Sequence, residues 1–277
     1  MANLKDAVMG SRYMGCYIGA PGSGKTVEAV SVCEDEPDAR VWLIDLDGRW
    51  RPILKMHPKR VASGAIEHDF YGPNEFEKLA RKMEGLQDRC DYDAVIFDGL
   101  TSAGDQLINY MLSLRGAGDK DAKGKKKGVL EMAGPEDFGG EARGLGIMLD
   151  IARVLPCHFI LTAHYIRTVS VDITTRRETV QTQMVTAGKK IAAKVPAYFD
   201  EIYFFETQSS MNVSEPPKYT VRTAGGPETL CKTALPLPVL MDISRKGPDE
   251  PGLWTKIQAE LKVHNLKLER EKKVVKL

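Results

Sequence analysis

Short apolar runs recur along the chain, and polar or turn-forming residues follow each of them. Three runs have the length of a β-strand: residues 41–44, 94–97 and 157–163. They are almost continuously apolar, which is typical of strands covered on both faces in a parallel sheet. Apolar residues at helical spacing lie between them, at residues 76–86 and 138–155. The pattern predicts an α/β fold whose mostly parallel central sheet is flanked by helices.

Weaker patterns fill the rest of the chain. In the first half they predict, in order, a strand over 12–18, a helix from Lys25 to Cys33, a short edge strand near Val61 and a helix over 101–114. Residues 167–185 alternate, as in a β-hairpin arm or a mobile loop. Residues 200–205 and 219–223 predict antiparallel strands that extend the sheet on its C-terminal side. Gly/Pro pairs then precede a helix, so we expect a core of residues 1–250 and a basic C-terminal helix or tail of residues 251–277.

A glycine-rich motif follows the first predicted strand and precedes the first predicted helix. It has the pattern G-x-x-x-x-G-K-[ST] and consists of Gly19, Ala20, Pro21, Gly22, Ser23, Gly24, Lys25 and Thr26. Glycine allows turns that a Cβ forbids, so that successive amides converge on phosphate oxygens at a helix N-terminus. Lys25 adds a charge toward the β- and γ-phosphates, and Thr26 offers a hydroxyl to Mg²⁺. The motif therefore predicts a P-loop that binds ATP with Mg²⁺.

Polar residues stand at the ends of the three apolar runs. Asp45 and Asp47 follow the first, Asp98 ends the second and His164 ends the third. Because the carboxyl ends of parallel strands meet at one edge of a sheet, we expect these side chains to lie beside the P-loop. Asp98 has the position of a Walker B aspartate that holds Mg²⁺. His164 is either a sensor of the γ-phosphate or a histidine satisfied by a backbone carbonyl.

Composition narrows the classes of protein to consider. The formal net charge of +1 excludes a globally basic nucleic-acid binder, so any such role depends on local patches. The 5 cysteines are widely spaced and form no C-x-x-C pair, which argues against a disulfide scaffold or a zinc site. No apolar run approaches the ~20 residues of a membrane span, so we expect a cytoplasmic protein without membrane contacts.

Two stretches are locally basic, and each is either a solvated connection or a nucleic-acid contact. Residues 115–134 carry a lysine cluster that includes Lys123, Lys125, Lys126 and Lys127. Residues 167–190 carry three arginines, Arg167, Arg176 and Arg177. The flexible composition of the first stretch suits either interpretation.

Taken together, the motifs resemble the RecA-like branch of P-loop ATPases, and within it the core-only phage ATPases of single-strand annealing, recombination or replication. The resemblance spans residues 12–246 and rests on five segments: 19–26, 45–48, 94–98, 160–164, and Gly188 with Phe199-Asp200-Glu201. It implies that the strand before His164 lies between the P-loop strand and the Walker B strand. It also implies catalysis by Lys25, Asp47 and His164. The base of the family is usually a glutamate at the position of Asp47, so a shorter aspartate implies slow hydrolysis or a base role for Asp45.

The resemblance also implies partners. The two basic stretches correspond to the two DNA-binding loops of the family, which implies binding of single-stranded DNA. Members act as homo-oligomeric filaments or rings in which a basic residue reaches the nucleotide of the next subunit. Candidates for that residue are Lys232, Arg245 and Lys246. A single-strand binding protein or other recombination proteins are further expected partners, in the host cytoplasm if the chain is phage-encoded.

Two other functions remain open at the level of sequence. A P-loop kinase for a small metabolite would use an arginine-rich lid, for which Arg176 and Arg177 are candidates. An ATP-dependent switch, such as a helicase loader or a DNA-packaging component, would use the same core. Stimulation of hydrolysis by single-stranded DNA separates the kinase from the recombination ATPase, and partner proteins identify the switch.

Overall fold

A sheet of eight strands runs through the centre of the protein. The structure is a computed structural model, and it describes residues 12–72, 75–118, 133–171, 175–176, 178–209, 215–226 and 228–274. For residues 115–118, 189 and 267–274 it describes the backbone alone. The strands of this sheet are β1 (Met14–Gly19), β2 (Val41–Asp45), β3 (Ile66–Phe70), β4 (Ala94–Asp98), β5 (His158–Ala163), β8 (Glu201–Gln208), β9 (Lys218–Arg222) and β10 (Leu240–Asp242). Two more strands, β6 (Tyr165–Val171) and β7 (Glu178–Met184), pair with each other as a separate antiparallel hairpin.

Helices connect most of the strands. Within the described residues they are α1 (Lys25–Ala29), α2 (Arg51–Met56), α3 (Pro58–Ala62), α4 (Phe76–Asp88), α5 (Leu100–Gly118), α6 (Pro135–Val154), α7 (Lys189–Ala192) and α8 (Leu253–Val274). A short 3₁₀-helix, Val195–Tyr198, precedes β8. The long connections between parallel strands contain helices, as crossover connections require.

The sheet has the strand order β10-β9-β8-β1-β5-β4-β2-β3. All neighbours from β8 to β3 are parallel, and β9 and β10 are antiparallel additions beside β8. The predicted α/β class is therefore confirmed. Strand β5, which precedes His164, lies between the P-loop strand β1 and the Walker B strand β4, as the family resemblance implies. This order brings the carboxyl ends of β1, β5, β4 and β2 to one edge of the sheet.

Both faces of the sheet are buried, which explains why its strands are continuously apolar. In β4, Val95 and Phe97 pack with residues of α4, α5 and α6, whereas Ala94 and Ile96 pack with residues of α1, α2 and α8. Because adjacent side chains of a strand point to opposite faces, each strand contributes to both clusters. Burial of each large apolar side chain stabilises the fold by about 1.5–3 kcal/mol.

Two sequence predictions are wrong in detail in the first third of the chain. Helix α1 ends at Ala29, short of the predicted Cys33, and tight turns follow in which Val32 N donates to Ala29 O at 3.3 Å. Near Val61 the chain forms α3, and the edge strand comes later, at β3. Pro58 favours this helix because its fixed φ angle and missing N–H suit the first helical position.

The C-terminal helix begins inside the core. Leu253, Trp254 and Ile257 of α8 are all at most 5% exposed and pack on the same side of the sheet as α1. The Leu253 N–H donates to the Glu28 carboxylate of α1 at 2.6 Å. The first turns of residues 251–277 therefore pack as part of the core.

Candidate functional site

The P-loop leaves β1 at Gly19 and enters α1 at Lys25. Gly22 and Gly24 have φ angles of 78° and 90°, in the left-handed region that side chains with a Cβ rarely adopt. The hydroxyl of Ser23 is buried and has no hydrogen-bond partner among the described residues. The turn depends on glycine and leaves the buried Ser23 hydroxyl without a partner among the described residues. It therefore fits a ligand that offers hydrogen-bond acceptors, such as a phosphate.

The side chain of Lys25 folds back onto the backbone at the start of the P-loop. Its ammonium donates to the carbonyl oxygens of Gly19 and Ala20, each at 2.9 Å. An ammonium has three protons, so one donor is left for a phosphate oxygen. Burial lowers the pKa of Lys25 to about 8, against the opposing charges of Asp98 and Asp47. The residue is therefore positively charged at neutral pH but close to losing its proton.

This lowered pKa predicts that nucleotide affinity depends on pH. Lys25 is protonated below about pH 8 and becomes neutral above it, and a phosphate binds the protonated form better. We therefore expect the affinity for ATP to fall as the pH rises through about 8 toward about 9, above the range in which the terminal phosphate of ATP ionises. Fluorescence titration with a labelled ATP analogue measures this change.

The control for this prediction is Lys25→Arg, because a guanidinium stays charged across the whole interval. The affinity of that variant should be nearly constant over the same pH values. An equal fall of affinity in both proteins would show that another group is responsible.

Asp98 meets two threonine hydroxyls at the end of β4. Thr26 Oγ1 lies 3.1 Å from Asp98 Oδ1 and 2.9 Å from Oδ2, and Thr162 of β5 donates a further hydrogen bond to Oδ1. Burial raises the pKa of Asp98 to about 6, although both hydroxyl bonds favour its charged form. A hydroxyl and a buried carboxylate beside a phosphate site are the hard oxygen ligands that Mg²⁺ prefers. The residues thus fit the predicted metal site formed by Thr26 and Asp98.

The two aspartates after β2 have different environments. Asp45 is 1% exposed, and its Oδ1 accepts the N–H groups of Asp47 and Gly48. Asp47 lines the cavity above the P-loop, and the Ser102 hydroxyl of α5 donates to its carboxylate. Asp47 is therefore the carboxylate that faces the cavity, and Asp45 supports the turn that holds it.

His164 follows β5 and touches the P-loop directly. Its Nδ1 lies 3.2 Å from the carbonyl oxygen of Gly19. Because a carbonyl oxygen only accepts, Nδ1 carries the proton, and Nε2 of the neutral ring is an acceptor. Burial, and then the charge of Lys25, lower the pKa of His164. The lowered pKa favours the neutral ring, which has to take up a proton, or give up the Gly19 contact, before it can donate to a phosphate.

A cavity of about 580 Å³ joins these groups. The P-loop, Asp47, Asp98 and His164 contribute polar groups to its lining. Apolar surface of the lining comes from Pro52, Met56, Pro216, Pro217, Tyr219 and Ile243, among other residues. Its volume lies within the usual range of ligand pockets, ~300–1,000 Å³.

Arg49 lines the same cavity and is not among the site residues predicted from the sequence. Its side chain is exposed, and its charge lowers the pKa values of Lys25 and His164, although burial has the larger effect on both. The only signal in the sequence is its position two residues after Asp47. It joins Lys25, Lys55 and Arg245 as a basic residue in the lining of the cavity.

The residues predicted to contact DNA are only partly described. Arg167 is exposed on β6, with its guanidinium 5.5 Å from the Tyr165 ring centre and 5.6 Å from that of Phe204. Arg176 is exposed between β6 and β7. Arg177 and the cluster Lys123, Lys125, Lys126 and Lys127 lie outside the described residues. The described part of the hairpin does not line the cavity.

The three candidates for a residue that reaches a neighbouring subunit differ in exposure. Lys232 is exposed beside β8, where its backbone pairs with Ile202, and Lys246 is exposed after β10. Arg245 does not fit this role, because its side chain is 2% exposed and lies 2.8 Å from the Glu28 carboxylate within the same chain. Among the described residues, no helix combines the length and the apolar character needed to cross a membrane.

Comparisons with protein families, curated sequences and solved structures assign no family to this chain. No protein-family model matches the sequence. No curated protein sequence matches it either. Among solved structures, the chain is similar to one titled "Crystal structure of the RadB recombinase", with 14% identity, a TM-score of 0.43, and coverage of 85% of this chain and 89% of that chain. Similarity of this order is too low to transfer an activity from one protein to the other.

Proposed function

We propose that the protein is a RecA-like, Mg²⁺-dependent ATPase that acts on single-stranded DNA. One observation carries the proposal: Lys25, Thr26, Asp47, Asp98 and His164 converge on one cavity, although they come from four different strand ends. The cavity has polar groups for a triphosphate, and its lining also includes apolar side chains and the Tyr219 ring, which suit a nucleobase.

The residues of the P-loop bind and polarise the phosphates. Lys25 and the loop amides place positive charge where negative charge develops on the transferred phosphoryl group. Arg49, which lines the same cavity, adds to this field. Thr26 and Asp98 would hold Mg²⁺, which neutralises charge on the phosphate oxygens.

Asp47 has the position of the base that orients and deprotonates the attacking water. The hydroxyl of Ser102 holds its carboxylate, and Asp45 holds its backbone. Phosphoryl transfer depends mainly on positioning and electrostatics, so such support contributes directly to the rate.

His164 connects the nucleotide site with the hairpin. Its ring contacts Gly19 O, and its own carbonyl accepts the N–H of Val185, the residue after β7, at 2.9 Å. Thr101 of α5, which lines the cavity, donates to the Val185 carbonyl at 2.9 Å. A shift of the P-loop on nucleotide binding would therefore reach the base of the hairpin that carries Arg167 and Arg176.

We further propose that the hairpin and the basic stretch of residues 115–134 contact the phosphates of single-stranded DNA. The exposed arginines of the hairpin and the lysine cluster support this assignment. In this proposal the subunits assemble into a filament or ring on the DNA, and Lys232 or Lys246 approaches the nucleotide of a neighbouring subunit.

The function is tested by measuring phosphate release from ATP with and without Mg²⁺ and single-stranded DNA. We expect Mg²⁺-dependent hydrolysis that single-stranded DNA stimulates. Hydrolysis that ignores DNA but rises with a small phosphate acceptor would indicate a kinase. Nucleotide binding without DNA binding would indicate a switch that acts on a protein partner.

Neutralising Lys123, Lys125, Lys126 and Lys127 together should weaken binding of single-stranded DNA and reduce its salt dependence. Each phosphate contact releases counterions, so the loss of four contacts should flatten the slope of log K against log salt by up to about 3. Fluorescence anisotropy with a labelled oligonucleotide over a range of salt concentrations measures both effects.

A matched control removes the same charge elsewhere on the surface. Lys59, Lys78, Arg81 and Arg89 have side chains that are 73–87% exposed and lie outside both predicted DNA loops. Their neutralisation should leave the slope nearly unchanged. Equal slopes in the two quadruple variants would remove the lysine cluster from the DNA site.

A further inference from the structure

A chain of hydrogen bonds leads from the outermost strand, β3, to the turn that carries Asp47. The Nε2 atom of His68, on the edge strand β3, lies 3.0 Å from Asp45 Oδ2. The other oxygen of the same carboxylate, Oδ1, accepts the N–H groups of Asp47 at 3.0 Å and Gly48 at 2.7 Å. His68 and Asp47 are therefore joined through one buried carboxylate.

Because the Asp45 carboxylate is buried, it depends on the groups that donate hydrogen bonds to it. Its side chain is 1% exposed, and a buried carboxylate is tolerated only when its oxygens accept hydrogen bonds. An ionised carboxylate cannot donate, so the His68 Nε2 atom carries the proton in this contact. Without that donor, Oδ2 would lose its partner, and the carboxylate would turn toward another donor or toward water.

Such a rotation would affect Asp47 because Asp45 Oδ1 holds its backbone. The side chain of Asp47 is held separately by Ser102, so backbone and side chain have different supports. After the turn, the Trp50 ring packs on the His68 ring, with ring centres 5.6 Å apart and an interplanar angle of 41°. His68 thus contacts both the residue before the turn and a residue after it.

We propose that His68 is a positioning residue for Asp47, acting through Asp45 and against the ring of Trp50. This inference rests on the proposed function, in which Asp47 orients the attacking water. His68 is 30% exposed at its side chain and does not line the cavity, so it does not touch the nucleotide. Its contribution is to hold the Asp47 turn in the geometry that the hydrolysis step requires.

The test compares three variants. His68→Ala removes the donor, and His68→Gln keeps an N–H donor near the position of Nε2. Glu67→Ala is the matched control, because Glu67 is the preceding residue of β3 but pairs with Arg40 and Lys82 on the other side of the strand. For each variant we would measure kcat, the affinity for a labelled ATP analogue, and hydrogen exchange of the Asp47 and Gly48 amides.

We expect His68→Ala to lower kcat about tenfold or more with ATP affinity unchanged, because a small displacement of a reacting group is costly. Amide exchange at Asp47 and Gly48 should also be faster in that variant. His68→Gln should recover part of the kcat and part of the slow exchange. Glu67→Ala should change neither kcat nor exchange. Unchanged kcat and exchange in His68→Ala would overturn the inference, as would equal losses in Glu67→Ala.

The exchange measurement separates this inference from the proposed function. If the wild-type protein does not hydrolyse ATP, the proposed function fails, and exchange at Asp47 and Gly48 alone decides the role of His68. Faster exchange in His68→Ala but not in Glu67→Ala then supports the positioning role, and equal exchange in all proteins refutes it.

Discussion

Lys25→Ala is expected to reduce the kcat of ATP hydrolysis by about 10²–10³ or more, because the loss of one preorganised donor at a developing charge costs ~3–4 kcal/mol. The effect should be large because Lys25 is buried and is held by two carbonyl groups beside the cavity. It should also weaken ATP binding, since Lys25 is the buried cation of the P-loop. Single-turnover hydrolysis and nucleotide titration measure the two losses separately.

The control for this variant is Lys78→Ala, which removes an exposed lysine that pairs only weakly with Glu75 at 3.5 Å. It should hydrolyse ATP at the wild-type rate. Near-normal turnover in Lys25→Ala, with the fold intact by circular dichroism, would show that the P-loop does not bind the reacting phosphate.

Asp47→Asn is expected to reduce kcat by about 10²–10⁴, the usual contribution of a general base, with ATP affinity nearly unchanged. The amide has the shape of the carboxylate and retains an oxygen that can accept from Ser102, but it cannot take a proton from water. Asp47→Glu keeps a base and reaches about one methylene further, so it should retain hydrolysis. Steady-state kinetics with ATP titrations separate the effect on kcat from that on binding.

Asp249→Asn is the matched control, because Asp249 is an exposed carboxylate whose partner is Lys59 on the surface. It should have wild-type kcat and affinity. If Asp47→Asn were as active as this control, another group would have to be the base. The support of the turn by Asp45 and His68 would then not contribute to catalysis.

The strands that build the site were predictable because burial on both faces leaves a strong signal. The runs at residues 41–44, 94–97 and 157–163 each became a central strand, and each ends where the chain turns polar. The P-loop was predictable because its backbone geometry requires glycine at fixed positions. Sequence and the α/β rule together thus placed Asp47, Asp98 and His164 at one edge of the sheet.

Contacts between distant parts of the chain were not predictable. Arg245 follows the last strand with Lys246 directly after it, and no local pattern shows that Arg245 pairs with Glu28, which lies far earlier in the chain. The different environments of Asp45 and Asp47 depend on His68 of a strand that the sequence pattern misplaced. Arg49 likewise has no motif, and only the folded loop brings it to the cavity.

The length of α1 was mispredicted for a local reason. Its sequence continues with apolar residues, but the Ser31 hydroxyl donates to the Glu28 carbonyl at 2.7 Å and competes with the helical hydrogen bond. The predicted roles of the lysine cluster and of the subunit-bridging residues remain predictions.

The central claim is tested most directly by a crystal structure of the protein with Mg²⁺ and a slowly hydrolysed ATP analogue. We predict a triphosphate within hydrogen-bonding distance of the Lys25 ammonium and the P-loop amides, with its terminal phosphate facing Asp47 and His164. A triphosphate bound outside this cavity, or one bound there with Asp47, Asp98 and His164 turned away from it, would contradict the claim.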